Sequence, residues 1–239
     1  MIWPLPATPR WVLDEVSTAG WENLDADHVS NYDDKEDSGA AAEIELLAEF
    51  GLNELSVVVD LGTGTGQFAV AVAPRCARVV AVDISPVMLA HLQGKVAASG
   101  YSNIEVVRAG FLTYHHNGTP ADIVYSRWAL HHIPDFWKSL ALQRMRASMR
   151  PGAVLRLSDV VYSFQPADAE DRIEAWCATL PVAAGPGEWI RRDIEDHVRD
   201  EHSTYTWLLE PMIQRCGFRI ERQEYSDDGF FADYMLRAV

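Results

Sequence analysis

The passage that most constrains this chain is VVVDLGTGTGQ at 57 to 67, followed by RVVAVDIS at 78 to 85. Val57, Val58 and Val59 form a β-branched apolar run suited to a strand covered on both faces. Gly62, Gly64 and Gly66 then leave no side chain between backbone and ligand, and they let the chain turn tightly into a helix beginning near Gln67. Asp83 stands 21 residues after Gly62, at the end of the next predicted strand. A carboxylate there can accept hydrogen bonds from both hydroxyls of a ribose. The passage predicts a cradle for an adenosine-bearing cofactor.

The spacing narrows the choice of cofactor. A dinucleotide fingerprint, G-x-G-x-x-G/A, would place Gly or Ala at 67, whereas Gln67 stands there and the third glycine comes one step early, at Gly66. The compressed G-x-G-x-G, with Asp60 two residues ahead of it, resembles the class I S-adenosylmethionine-dependent methyltransferases, whose ligand has no pyrophosphate. Other stretches follow in that family's order. DISPVMLAHLQ after Asp83 resembles its second βα junction, with Ser85 as N-cap, Pro86 at the first helical position and Met88 against the adenine. RAGFL at 108 to 112 falls at the end of the third strand, ADIVYSRWALHHIPD at 121 to 135 matches the fourth, and MRPGAVLRLSDVV at 149 to 161 the fifth.

The resemblance spans residues 28 to 161 and the C-terminal strands. It implies an α/β fold: a Rossmann-like, seven-stranded, mostly parallel sheet with helices on both faces and an antiparallel C-terminal hairpin strand. It also implies S-adenosylmethionine as cofactor and S-adenosylhomocysteine as product. The cofactor contacts it carries over are Asp60, Gly62, Thr63, Gly64, Gln67, Asp83, Ile84, Met88, Gly110, Phe111 and Ser126. One departure stands out: where the family often has an Asp for the adenine amino group, this chain reads Ala109, Gly110, Phe111. Adenine is therefore expected to be held by backbone groups and by Phe111 and Met88.

The chain has 239 residues, 48% of them apolar, enough for one sizeable core, and a single methyltransferase domain over 1–239 is expected. A formal charge of -15 opposes polyanions, and no basic cluster longer than Arg191-Arg192 offsets it. Nucleic acid and membranes are thus expected to be poor partners, and a small molecule is the expected acceptor. A homodimer stays open beside the monomer. Cys76, Cys177 and Cys216 lack C-x-x-C spacing, which argues against a disulfide framework or a zinc site. No signal-peptide core and no run of 18 apolar residues is evident, so a cytoplasmic location is expected.

Along the chain, Trp3, Trp11 and Trp21 make residues 1 to 36 too aromatic for a disordered tail, and they read as an arm folded over the core. Ile44, Leu47 and Phe50 predict a helix ending near Gly51. Strands at 56–60, 78–83, 104–109, 122–126 and 153–160 alternate with helices at 67–73, 86–98 and 135–148, the pattern of a parallel sheet. The segments 218–225 and 231–239 read as a closing hairpin. Between 162 and 205, the spacing of Ile173, Trp176, Cys177 and Leu180, then Ile190, Ile194 and Val198, predicts two short helices. With the arm they form a candidate substrate lid, for which Tyr32, Arg127 and Trp176 are the candidate residues; plain coverage of the sheet edge is the alternative. The arm is expected to serve the acceptor side and to leave most cofactor affinity intact.

Methyl transfer from a sulfonium asks the protein mainly for alignment and exclusion of water, and a base matters only if the acceptor must lose a proton. His131 is the first candidate base; His132, Tyr32 and His28 come after it, and His115-His116 reads as a loop pair. His131, His132 and Asp135 lack a further spaced ligand set, and no metal is expected. An NAD(P)-dependent oxidoreductase, disfavoured by Gln67, and a non-catalytic S-adenosylmethionine binder, suggested by Gly110, are the alternatives.

Overall fold

A computed structural model describes residues 8–30, 32–35, 39–183, 185 and 188–239; of Asp27, His28, Asp34 and Lys35 it describes the backbone alone. Trp3, the His28 side chain and much of the acidic run from 33 to 37 lie outside what is described.

After a turn-rich arm come α1 (Ala26–Ser30), α2 (Tyr32–Lys35) and α3 (Ala40–Glu49). The alternating core follows as β1 (Val57–Leu61), α4 (Gln67–Val72), β2 (Arg78–Asp83), α5 (Pro86–Ser99), β3 (Ile104–Arg108), β4 (Ala121–Arg127), α6 (Asp135–Ser148) and β5 (Met149–Tyr162). The C-terminal part adds α7 (Ala169–Ala178), α8 (Arg191–Asp200), β6 (Thr204–Tyr205), α9 (Thr206–Arg215), β7 (Phe218–Tyr225) and β8 (Phe231–Ala238). The main sheet runs β3-β2-β1-β4-β5-β8-β7, with β6 pairing β5 off this path. Pairings from β3 to β5 are parallel, and β8 is antiparallel to both β5 and β7. The architecture is the mostly parallel, helix-covered sheet with an antiparallel C-terminal strand that the sequence predicts.

Strand alternation divides the core in two. Val59, Leu61, Val80 and Val82 face one side, against Leu142 and Met145 of α6 and Leu209 and Ile213 of α9. Val58, Val79 and Ala81 face the other, against Leu47 of α3, Phe68 of α4 and Leu89 and Leu92 of α5. Burial on both faces is why β1 reads as an unbroken apolar run apart from Asp60. A third cluster, of Val160, Tyr162, Phe164 and Phe230 with Ile173 and Trp176 packed on it, roots α7 beyond the end of the sheet.

Two elements differ from the sequence reading. β5 extends well past 153–160 on both sides, because its whole carboxyl half is buried between β4, β8 and β6. The helix α9 was not expected; Pro211 lies inside it, and burial of Leu209 and Ile213 one turn apart offsets the lost backbone bond.

The glycine turn is tied into this packing. Gly66 caps α4 at φ 80°, and a Cβ built on it would overlap Leu92 of α5. Gly66→Ala therefore combines left-handed strain with overpacking, about 2–4 kcal/mol together, and should lower the melting temperature by roughly 5–10 °C. Circular dichroism melting reads this directly; an unchanged melting temperature would mean that α4 and α5 are not locked through the turn.

Candidate cofactor and acceptor site

The carboxyl ends of β1, β2 and β3 open onto one edge, and the side chains there are set by the turns that leave them. Asp83 ends β2 with its carboxylate nearly buried; Oδ2 accepts the Gly64 N–H at 2.8 Å and Oδ1 the Ser85 N–H at 2.8 Å. The Ser85 hydroxyl in turn accepts the Met88 N–H at 3.2 Å, capping α5. Burial raises the Asp83 pKa against the pull of these N–H bonds. Asp60, inside β1, accepts the Thr63 hydroxyl at 2.6 Å, and burial, with the nearby charge of Asp83, pushes its pKa up to about 7.

Three adjoining cavities follow from this edge. The first is narrow, about 90 Å³, and Gly62, Gly64, Asp83, Ile84, Met88, Gly110 and Phe111 of the predicted cofactor contacts line it. The second, about 60 Å³, is lined by Asp60, Thr63 and Gln67 together with Tyr32 and Arg127. Ser126, also predicted as a contact, is fully buried and lines none of these cavities. The third is much larger, about 370 Å³, and Trp21, Trp128, Trp176, Trp189, His131 and His132 are among its walls.

The arm closes this edge. Asp33 of α2 accepts the Thr65 hydroxyl and, at 3.0 Å, the Gln67 amide, and it pairs with Lys95 of α5. The Ser85 hydroxyl donates to Asn23 O at 2.6 Å. Glu15, Thr18, Ala19 and Asn23 all line the first cavity. The arm was expected on the acceptor side; its residues also line the cavity of the expected cofactor contacts. No periodic signal marks Glu15 or Asn23, so sequence reasoning had no handle on them.

Trp128, directly after β4, has φ 50°, a left-handed conformation costly for a bulky residue. It is held by its N–H on Ser158 O at 2.9 Å and by the Arg127 guanidinium 3.9 Å from its ring centroid. This twist aims the tryptophan at the seam between the first and third cavities.

His131 lies in a chain of ion pairs. Its Nδ1 bonds Asp159, its Nε2 lies 3.2 Å from Glu201, and Glu201 also pairs with His197 of α8. Burial opposes the charge of His131, but Asp159 and then Glu201 raise its pKa. Burial likewise opposes the Glu201 charge, yet the His197 bond and the His131 charge pull its pKa to about 2. His132 behaves oppositely: burial and then the charge of His131 push its pKa down to about 3, and its Nδ1 has no hydrogen-bond partner among the described residues. His131, His132 and Glu201 each offer a ligand atom within 4.8 Å of the others. Both ring nitrogens of His131 are already engaged by carboxylates, however, which suits a protonated ring and not a metal ligand. Asp135, named with the two histidines in the sequence, bonds Lys138 at 2.9 Å and Thr204 at 3.0 Å instead.

The residues present fit an adenosine-bearing group: a Cβ built on Gly64 meets nothing within 4 Å, so the turn leaves room at its outer face, and Asp83 lines the same cavity. The fold and this edge resemble those of the class I S-adenosylmethionine-dependent methyltransferases. Residues 58–152 match the family described as "Methyltransferase domain". The tRNA 5-carboxymethoxyuridine methyltransferase of Escherichia coli (strain K12) is 29% identical over 174 residues, 72% of this chain and 64% of the relative. The chain thus spans a little under two thirds of that relative's length. The trans-aconitate 2-methyltransferase of Variovorax paradoxus is 31% identical over 115 residues, 47% of this chain and 42% of the relative. Among solved structures, the cyclopropane synthase MmaA2 from Mycobacterium tuberculosis superposes with a TM-score of 0.72 at 15% identity, covering 96% of this chain and 100% of that one, a likeness of fold. Among the described residues no helix is long and apolar enough to cross a membrane.

Two outcomes follow from this geometry. Removing a charged acceptor costs about 1.5–3 kcal/mol, so Asp83→Ala should weaken S-adenosylmethionine binding tenfold or more in calorimetry, and an unchanged Kd would remove Asp83 from the site. The Glu201 pairs should also show in the pH dependence of stability. Glu201, depressed to about 2 from 4.5, stabilises above pH 4.5 and loses this as pH falls; His131, raised from 6.5, stabilises below 6.5 and loses this as pH rises. Glu201→Gln should therefore lower the melting temperature by about 5 °C or more near pH 6, with the difference narrowing toward pH 3. A difference independent of pH would contradict the ion-pair account.

Proposed function

We propose that the chain transfers the methyl group of S-adenosylmethionine to a small, neutral or cationic acceptor held in the tryptophan-lined cavity. The observation that carries this reading is the seam: Asn23, Tyr32, Trp128 and His132 line both the cofactor cavity and the large one, so a group in one abuts a group in the other. When bound, the cofactor supplies an activated methyl and its own leaving group. The chain's tasks are to align the acceptor, exclude water and, for a hydroxyl or amine, take up a proton.

His132, a weak base at ordinary pH, is suited to the first of these tasks, aligning the acceptor. It sits at the seam, neutral at ordinary pH, with Nδ1 unpartnered among the described residues. His131, its charged form favoured by Asp159 and Glu201, is assigned a positioning role that fixes the backbone carrying its neighbour. The acceptor class follows from the lining: Glu22, Asp193, Asp196 and Glu201 face the cavity with no Lys or Arg among its described lining residues, and four tryptophans offer apolar and cation-binding faces. α7 and α8 contribute Trp176, Ile194 and His197 to these walls and serve in this reading as the lid. A tRNA acceptor is the second reading, favoured by the Escherichia coli relative and opposed by the charge of -15.

The test is transfer from methyl-labelled S-adenosylmethionine to a panel of small phenols, amines and carboxylic acids, with unmodified tRNA alongside. Label should appear on neutral or cationic small molecules; label on tRNA alone would overturn the acceptor assignment. With the best acceptor found, His132→Ala should lower kcat by roughly tenfold or more with a far smaller change in cofactor Kd. Full turnover in that variant would remove His132 from that role.

A further inference from the structure

The carboxylate of Glu15 has no role in the account so far, yet it occupies an unusual place. Glu15 belongs to the arm, is 6% exposed, and reaches across to the turn after β3. Both of its oxygens lie 3.1 Å from the Leu112 N–H, and the Thr113 hydroxyl is 3.5 Å from one of them. A Cβ built on Gly110 would overlap this carboxyl group, so the arm's carboxylate fills the space that a side chain at position 110 would take. The sequence lacks a carboxylate at 110; the fold brings one to the same spot from 95 positions upstream.

We infer that Glu15 is the group that recognises the exocyclic amine of the cofactor's purine, and that the arm is thereby part of the cofactor site. This rests on the cofactor reading proposed above. Asp83 marks the ribose end of the cavity at the tip of β2, and β3 is the neighbouring strand, about 4.8 Å away along the sheet edge. A nucleoside with its ribose on Asp83 lays its base over the end of β3. Ile84, Met88 and Phe111 supply apolar walls there for a planar ring, and Glu15 is the ionisable acceptor on that side of the cavity among the described lining residues. The donors it has do not offset its desolvation: burial pushes its pKa up to about 7 despite the Leu112 and Phe111 N–H groups, the Thr113 hydroxyl and the charge of Arg144. An amine that donates to it supplies what burial has removed.

The alternative is that Glu15 is a plug, filling the purine position until cofactor expels it. The two are separated by calorimetric titration of S-adenosylhomocysteine and of S-inosylhomocysteine, in which a carbonyl replaces the amine. The wild-type chain, Glu15→Gln, Glu15→Ala and the double variant Glu15→Ala/Gly110→Asp are compared. The wild type should prefer the adenosine compound by roughly tenfold or more. Glu15→Gln, of the same shape but with an amide that can donate to a carbonyl, should narrow or reverse that preference, and Glu15→Ala should abolish it. Gly110 lacks a left-handed backbone, so the double variant has room for a carboxylate at 110 and should regain the preference. Because the readout is a ratio of two affinities in one protein, a general loss of stability does not mimic it. An unaltered preference in Glu15→Gln and Glu15→Ala overturns the inference, as does tighter adenosine binding in Glu15→Ala, the mark of a plug. A wild-type chain that binds neither compound overturns the cofactor reading itself and this inference with it.

Discussion

Asp83 does two things at once, and the candidate site depends on both. One oxygen holds the Gly64 N–H and the other the Ser85 N–H, so the carboxylate that is to meet a ribose also fixes the glycine turn and the first turn of α5. The parallel sheet makes this possible, since it sets the tips of β1 and β2 side by side and buries Asp60 within reach of the Asp83 charge. Two carboxylates in one water-poor seam repel each other; the turn amides and the Thr63 hydroxyl answer that repulsion. Binding and local folding are therefore not separable at this position.

The arm extends the same principle from the turn to the whole edge. Asp33 spans Thr65, Gln67 and Lys95, Asn23 takes the Ser85 hydroxyl, and Glu15 takes the Leu112 amide. Each of these contacts is polar and falls on a turn or on a helix, not on a strand. With the arm settled, the cofactor cavity is only about 90 Å³, below the few hundred Å³ usual for a bound cofactor.

Much of this was legible in the sequence, for a physical reason. The glycine turn, the two flanking strands and the alternation that follows are local patterns, dictated by backbone sterics and by burial on both faces of a parallel sheet. Of the tryptophans in the arm and in 162–205, Trp21, Trp176 and Trp189 line one cavity. What stayed hidden depends on contacts between distant segments. Glu15 and Gly110 are each unremarkable alone. His131 and His132 are adjacent in sequence but given opposite character by Asp159 and Glu201, which arrive from β5 and the end of α8. The helix α9 contains Pro211, whose local cost is outweighed by a core that only the folded sheet creates.

On the proposed reading, the arm and the sheet edge form one binding unit. Amide hydrogen exchange of the full chain, with and without S-adenosylhomocysteine, tests it most directly, because it reads the arm and the glycine turn separately in the same sample. The account predicts that cofactor slows exchange both across 62–67 and across 15–24, with the Leu112 amide protected alongside. Protection confined to the glycine turn, with the arm exchanging as fast as before or faster, would contradict it.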